Sequence, residues 1–65
     1  MQYRFRISDD SKTISVFTGD KVVPNIVKDE LAEMHGINLD DYKVCTGPRE
    51  TGDPNLKWVT VFMRK

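Results

Sequence analysis

The sequence predicts an α+β fold in which one helix packs on one face of a single sheet, with the elements in the order ββαββ. Two stretches, residues 1–8 and 57–64, alternate apolar and polar side chains, which is the period of a strand with one buried face. Between them, apolar residues recur at helical spacing over residues 23–34. The economical packing lays the apolar stripe of the helix across one mixed sheet.

The first 18 residues predict a β-hairpin. Alternate apolar residues open the chain, namely Met1, Tyr3, Phe5 and Ile7. Residues 9–12 have the composition of a turn, and residues 13–18 are rich in β-branched side chains. We expect Ile14 and Val16 to face inward together with the first strand.

The predicted helix covers residues 24–35. Pro24 suits the first helical position, because its missing amide proton would have no partner there. Val23 then stands at the cap position, where its side chain cannot accept a hydrogen bond, so we expect the start to fray. Gly36 suits a left-handed residue after the last helical one, and Ile37 is placed to fold back over the helix. The end of the helix is therefore well marked.

The second half of the chain predicts a short strand, a loop and a final strand, at residues 42–46, 47–55 and 57–64 respectively. The loop assignment depends on the two glycines and two prolines of that segment.

Length and composition limit the class of protein. Residues 1–65 form one domain, because a chain of this size buries only about 60% of the surface that it exposes when unfolded. Ten Lys and Arg residues balance ten Asp and Glu residues, so no global positive field attracts nucleic acid or membranes. The longest apolar runs of two or three residues exclude a membrane span. Cys45 is the one cysteine and cannot form an internal disulfide, so we expect a soluble, intracellular monomer, cytoplasmic or nuclear.

From Lys12 onward the chain resembles the ubiquitin-like family without a gap. The matching pattern is Val27-Lys28-x-x-Leu31-x-x-x-x-Gly36-Ile37-x-x-Asp40-x-x-x-Val44. The resemblance covers most of the chain and implies a β-grasp fold, in which the first and last strands are neighbours. It also implies that Lys28 is a partly buried, paired lysine, while a plain solvated lysine is the alternative.

A narrower pattern, Tyr3-x-Phe5 with Phe17-x-Gly19, is similar to the DWNN branch of ubiquitin-like domains, found at the N-terminus of RING-containing proteins of mRNA 3′-end processing. Other features depart from the family. The chain closes with Met63-Arg64-Lys65 rather than Gly-Gly, so we expect no conjugation, and the segment before the last strand is short. The family's apolar recognition patch would fall near Cys45, Thr60 and Phe62 in this sequence. Only Phe62 of these three is strongly apolar, so we expect ordinary ubiquitin receptors to bind poorly.

Few groups suited to catalysis occur in the sequence. It has no glycine-rich phosphate loop, metal-ligand spacing or serine-centred motif. His35 and Cys45 could act as base and nucleophile, but a helix-terminal cation and a strand filler are the simpler interpretations. The aspartate pairs at 9–10 and 40–41 fit turns better than a metal or acid–base site. We therefore expect no enzyme activity, no metal and no cofactor.

The last strand suggests the candidate site. Successive side chains of a strand point to opposite faces of the sheet. We expect residues 59, 61 and 63 to face the helix and residues 58, 60, 62 and 64 to face solvent. If the first strand is its neighbour, two arginines lie beside the exposed aromatics. The predicted partner-binding residues are Arg4, Arg6, Lys43, Cys45, Trp58, Thr60, Phe62 and Arg64. Exposed aromatic and arginine side chains are enriched at binding hot spots.

Several functions are compatible with such a face. In the first, Phe62 and Trp58 anchor a protein partner with an acidic surface. In the second, the same face binds single-stranded nucleic acid, with bases stacked on the aromatics. In the third, the second strand forms the sheet edge and pairs with another chain. A structural alternative is that arginine stems merely shield the aromatics. Acidic residues gather on and after the helix, namely Asp29, Glu30, Glu33, Asp40 and Asp41.

Overall fold

The elements appear in the predicted ββαββ order. The computed structural model describes residues 2–65, so the predicted strand position of Met1 lies outside the described residues. Across residues 2–65 it contains four strands, one α-helix and a short 3-10 helix. These are β1 (Tyr3–Ile7), β2 (Thr13–Thr18), α1 (Asn25–His35), the 3-10 helix (Leu39–Asp41), β3 (Tyr42–Glu50) and β4 (Trp58–Arg64). The α+β class is therefore confirmed.

The predicted hairpin is confirmed: β1 and β2 pair in antiparallel fashion along their length. The amide of Ser8 donates to the carbonyl of Thr13 at 3.0 Å, and the Ser8 hydroxyl donates to the carboxylate of Asp10 at 2.7 Å. These bonds close the turn that its composition predicted. Ile14 and Val16 point inward as predicted, and both are fully buried.

The helix begins one residue later than predicted. Pro24 is the cap residue in extended conformation, and no side chain caps the free amides. Val27 and Leu31 form the buried stripe of α1. Gly36 adopts the predicted left-handed conformation with φ of 66°, and the amide of Ile37 donates to the carbonyl of Leu31 at 3.0 Å. The predicted stop is therefore confirmed.

The strand order corrects the predicted sheet. The order is β1-β2-β4-β3, and every neighbouring pair is antiparallel. The sheet is therefore not mixed, the first and last strands are not neighbours, and β2 lies inside the sheet rather than at its edge. The charge pattern fits this order, because β2 carries no charged residue and β4 carries one at its last position, whereas β1 and β3 carry the cations that protect an exposed edge. The element order is compatible with a β-grasp fold, but the strand order is not that of a β-grasp.

Strand β3 is longer than predicted. It runs past the expected end to Glu50, with register shifts between Val44 and Thr46 and between Thr46 and Arg49. Pro48 lies within this irregular part, which is where an edge strand tolerates a residue without an amide proton. The predicted loop is accordingly reduced to residues 51–57, closed by the amide of Thr51 and the carbonyl of Lys57 at 2.8 Å.

The core lies between α1 and one face of the sheet. Its buried members come from the strands, the helix and the segment that follows the helix, namely Ile14, Val16, Val27, Leu31, Ile37, Leu39, Tyr42 and Phe62. The hydroxyl of Tyr42 donates to the carbonyl of Ser11, which ties the start of β3 to the first turn. The helix therefore covers one face of the sheet, and the residues of the other face are open to solvent.

Candidate binding face

The structure reverses the predicted facing of β4. Phe62 lies opposite Ile14 and Thr60 lies opposite Val16, and directly opposed residues of an antiparallel pair share a face. Phe62 is 9% exposed and Thr60 is 4% exposed. The prediction that these two side chains face solvent is therefore wrong. Both phases of β4 carry large apolar residues, so alternation alone could not decide which phase is buried.

Trp58 also lies on the helix side of the sheet. It is opposite Thr18, a buried residue, and is itself half-buried. The ammonium of Lys21 lies 4.8 Å from the centre of its ring, at cation–π distance. The side chain of Lys21, a residue just before the helix, therefore packs on Trp58. The prediction that Trp58 lies beside the arginines of β1 is wrong.

The other predicted residues are separated by the sheet. Arg4 and Arg6 are exposed on the open face of β1, and Lys43 is exposed on the open face of β3, at the opposite edge. Cys45 is an exposed free cysteine at a register shift of β3. Arg64 lies opposite the buried Tyr42, hence in the helix-side phase of β4. The predicted cluster of arginines and aromatics does not form.

A different set of residues forms the open face. One row crosses all four strands in the order Arg4, Phe17, Val59 and Arg49. The next rows along the sheet contain Arg6, Ser15, Val61 and Thr46, then Thr13, Met63 and Lys43. The two inner strands thus supply an apolar strip of the half-buried Phe17, Val59 and Val61 and the exposed Met63, and both outer strands supply exposed cations. We call these three rows the open face.

The loop of residues 51–57 closes one end of the open face. A groove of about 540 Å³ is lined by Arg4, Phe5, Arg6, Phe17, Thr51, Asp53 and Leu56. The carboxylate of Asp53 accepts from the amides of Asn55 at 2.7 Å and Leu56 at 3.2 Å. These backbone bonds, with a small contribution from the charge of Arg4, hold the pKa of Asp53 below its usual value. The loop therefore presents an ordered carboxylate near one end of the arginine pair.

Tyr3, Phe5 and Ile7 lie on the helix side of β1 and pack against the core. The hydroxyl of Tyr3 donates to Glu30 at 2.6 Å, and this hydrogen bond to a carboxylate raises the pKa of Tyr3. The ring of His35 meets that of Phe5 edge-on at 5.1 Å between centroids. The side chains of β1 thus form a mainly aromatic row on the helix side of the sheet and an arginine pair on the open face.

The structure does not bring together the candidate catalytic pair. His35 packs beside β1, whereas Cys45 lies on β3 at the other edge of the sheet. Among residues 2–65 no group of three or more His, Cys, Asp or Glu side chains could hold a metal ion. Lys28 is exposed, so the solvated alternative holds for this lysine. Within the described part of the chain, no helix is long and apolar enough to cross a membrane.

Comparison with protein-family models, curated proteins and solved structures found no match for this chain. The class of protein is therefore defined by its architecture: a small α+β domain with one antiparallel sheet whose second face is open.

Sequence reasoning missed Phe17, Val59, Val61 and Arg49 as members of that face. The inward positions predicted in β2 already implied that Phe17 points outward, which was the available signal.

Proposed function

We propose that this domain is a non-catalytic protein-binding module that contacts an acidic surface of its partner through the open face. The observation that carries the proposal is the row in which Phe17 and Val59 lie between Arg4 and Arg49. An apolar centre with a polar rim is the usual anatomy of a protein interface, and arginine and aromatic residues are its commonest anchors. The cations at both rims favour a partner with carboxylates at matching positions.

A binding role is also supported by what surrounds the face. The helix packs on one face of the sheet, whereas the described residues border the open face only with the loop of residues 51–57 at one end. The candidate nucleophile and base lie at opposite edges of the sheet, so we assign no catalytic step and no cofactor. We further propose that the domain works as an intracellular monomer, because it has one unpaired cysteine and cations on both sheet edges.

Single-stranded nucleic acid is the second candidate for the same face. Four exposed cations, Arg4, Arg6, Lys43 and Arg49, favour it, because phosphates bind at such positions. Phe17 is the one aromatic residue in the three rows of the open face, which gives bases little to stack on. Salt dependence separates the candidates, since phosphate contacts cause a steep linear fall of log affinity with log salt concentration.

The resemblance to ubiquitin-like domains is a separate proposal. The ββαββ order and the helix stop at Gly36 support it, while the strand order counts against a β-grasp arrangement. The binding proposal depends on the open face alone.

Recovery of partners by the immobilised domain tests the proposal. The face variant carries Arg4→Glu and Arg49→Glu, and the control carries Lys28→Glu and Lys65→Glu, which changes net charge equally at exposed positions outside the open face. We expect the face variant to lose partners that the control retains. Equal recovery by both variants, or equal loss, would contradict the proposal. Bound material that resists protease and is released by nuclease would support nucleic acid instead.

A further inference from the structure

Strand β1 presents a smooth exposed edge. Among the described residues it pairs with β2 alone, and the register from Tyr3 to Ile7 is unbroken. The other edge, β3, has two register shifts and contains Pro48, which cannot donate a backbone hydrogen bond. An additional strand can therefore pair continuously with β1 but not with β3.

The backbone groups that face outward from β1 can be assigned. The amide of Ser8 donates to the carbonyl of Thr13, at the start of β2, so this amide points into the sheet. In an antiparallel pair this direction alternates along the strand, so the amides and carbonyls of Arg6 and Arg4 also point toward β2. The amides and carbonyls of Tyr3, Phe5 and Ile7 consequently point to the outer edge, where a further strand would meet them.

The two sides of this edge differ in chemistry. Arg4 and Arg6 are exposed on the open face, whereas Tyr3, Phe5 and Ile7 are half-buried on the helix side. Side chains of an added strand would lie beside each set in turn, about 5 Å from their cross-strand neighbours. Acidic side chains fit the arginine side, and apolar side chains fit the aromatic side.

Grooves extend along the arginine side of β1. The groove of about 540 Å³ described above includes Arg4 and Arg6, and a second groove of about 400 Å³ is lined by Arg6, Ile7, Ser8, Asp9, Thr13 and Ser15. The two share Arg6, so space for partner side chains runs from the loop of residues 51–57 to the first turn.

A second copy of this chain is a poor occupant of the edge. If two β1 strands paired in antiparallel fashion around Phe5, Arg4 of one copy would lie opposite Arg6 of the other. Like charges directly opposite each other destabilise a strand pair, and inward or edge cations are a common protection against self-pairing. The same arginines select a strand that carries carboxylates.

We propose that an extended segment of the partner, with acidic and apolar residues in alternation, adds to β1 as a fifth strand. This inference rests on the proposed function and specifies how the acidic partner is held. Backbone hydrogen bonds to Tyr3, Phe5 and Ile7 supply affinity, and carboxylates beside Arg4 and Arg6 supply selectivity. Strand addition of this kind buries the backbone groups that β1 leaves unpaired.

Short synthetic peptides test the inference with the intact domain. The probe alternates glutamate and valine and is blocked at both ends; a second peptide has the same composition with its glutamates grouped, and a third has lysine in place of glutamate. Two further probes carry N-methyl groups either on every valine amide or on every glutamate amide. Affinity is measured by fluorescence anisotropy, and pairing by hydrogen exchange of the Tyr3, Phe5 and Ile7 amides.

We expect the alternating acidic probe to bind and to protect these three amides, while the grouped and lysine peptides bind at least roughly tenfold more weakly. One N-methylated probe should lose binding and the other should keep it. In an antiparallel addition each valine lies directly opposite Tyr3, Phe5 or Ile7, on the same face of the sheet, and exchanges both backbone hydrogen bonds with it. Methylation of the valine amides should therefore abolish binding in that arrangement. Glutamate methylation should be the damaging one for a parallel addition.

The Arg6→Glu variant should also bind the probe roughly tenfold more weakly than the Lys28→Glu variant does. If both N-methylated probes bind as well as the parent while Arg6→Glu still weakens binding, strand addition is wrong and the open-face function survives. If no acidic peptide binds, strand addition is wrong, and the partner-recovery experiment with the Arg4→Glu and Arg49→Glu variant decides the open-face function separately. Tighter binding of a single-stranded thymidine oligonucleotide than of any peptide would also overturn the inference.

Discussion

Phe62 of β4 lies directly opposite Ile14 of β2, and both side chains are buried under the helix. This one pairing determines the phase of β4 and therefore the composition of the other face. Val59 and Val61 must point away from α1, and they meet Phe17 and Ser15 there. The apolar strip of the open face follows from the burial of Phe62.

Truncation of Phe62 should unfold the domain. Removing a buried phenylalanine side chain costs about 3–5 kcal/mol, which is close to the whole stability of a domain of this size. The matched change on the open face, Val59→Ala, should cost only roughly 1 kcal/mol, because Val59 is half-buried. Urea unfolding followed by circular dichroism compares the two, and a folded Phe62→Ala variant would place that ring outside the core.

Replacement of Thr60 by valine should stabilise the fold. Among the described residues the Oγ1 of Thr60 has no hydrogen-bond partner although it is buried, and valine has nearly the same shape. Removal of an unsatisfied buried hydroxyl should add about 1 kcal/mol to the free energy of unfolding.

Thr18 supplies the matched control for Thr60. It is equally buried, but its hydroxyl donates to the carbonyl of Asp20 at 2.6 Å. Thr18→Val should therefore destabilise the domain by about 1 kcal/mol. The opposite sign of the two effects, measured by thermal unfolding, is the expected result, and equal signs would contradict the assigned hydroxyl environments.

Gly36→Ala should destabilise the domain by about 1 kcal/mol. The backbone of Gly36 has φ of 66°, a conformation that a side chain disfavours, while no described atom beyond its two chain neighbours lies within 4 Å of an added Cβ. The cost is thus one of backbone conformation and not of crowding. Gly47→Ala is the control, because Gly47 has open space and no positive φ. Denaturant midpoints that shift equally for both variants would be inconsistent with the helix stop.

Stability should decline at high pH through Tyr3. Its hydrogen bond to Glu30 raises the folded-state pKa above the ordinary value of 10.0. The neutral phenol is therefore favoured in the folded state, so this contribution is fully present below pH 10 and is lost as the pH rises through the folded-state pKa. The difference in unfolding free energy between the protein and its Tyr3→Phe variant should shrink over that range. In the Glu30→Gln variant the phenol should titrate at lower pH, and an unchanged ultraviolet titration would disprove the contact.

The sequence predicts the local elements better than their arrangement. The alternation of β1 and the stop at Gly36 depend on neighbouring residues, so they can be predicted without the rest of the chain. The phase of β4 depends on which strand it pairs with, and its two phases are both apolar enough to be buried. The lack of charge in β2 fits a position inside the sheet, but the same feature also fits an unprotected edge, so the sequence alone does not place β2.

The candidate site was predicted only in part. Arg4 and Arg6 are on the open face as expected, because their alternation with Phe5 is local to β1. The sequence predicts a loop at Arg49, since the glycine and proline before it favour a turn. A register shift keeps this residue in β3 and places it opposite Val59, which no local pattern indicates.

The central claim is that β4 pairs with β2, so that Phe62 is buried and the open face lies between Arg4 and Arg49. Cross-strand nuclear Overhauser effects between backbone protons test it most directly. The account predicts contacts between Ser15 and Val61 and between Phe17 and Val59, together with contacts from the Phe62 ring to Ile14. Contacts between the backbones of β1 and β4, with the Phe62 ring near Arg4 or Arg6, would contradict it.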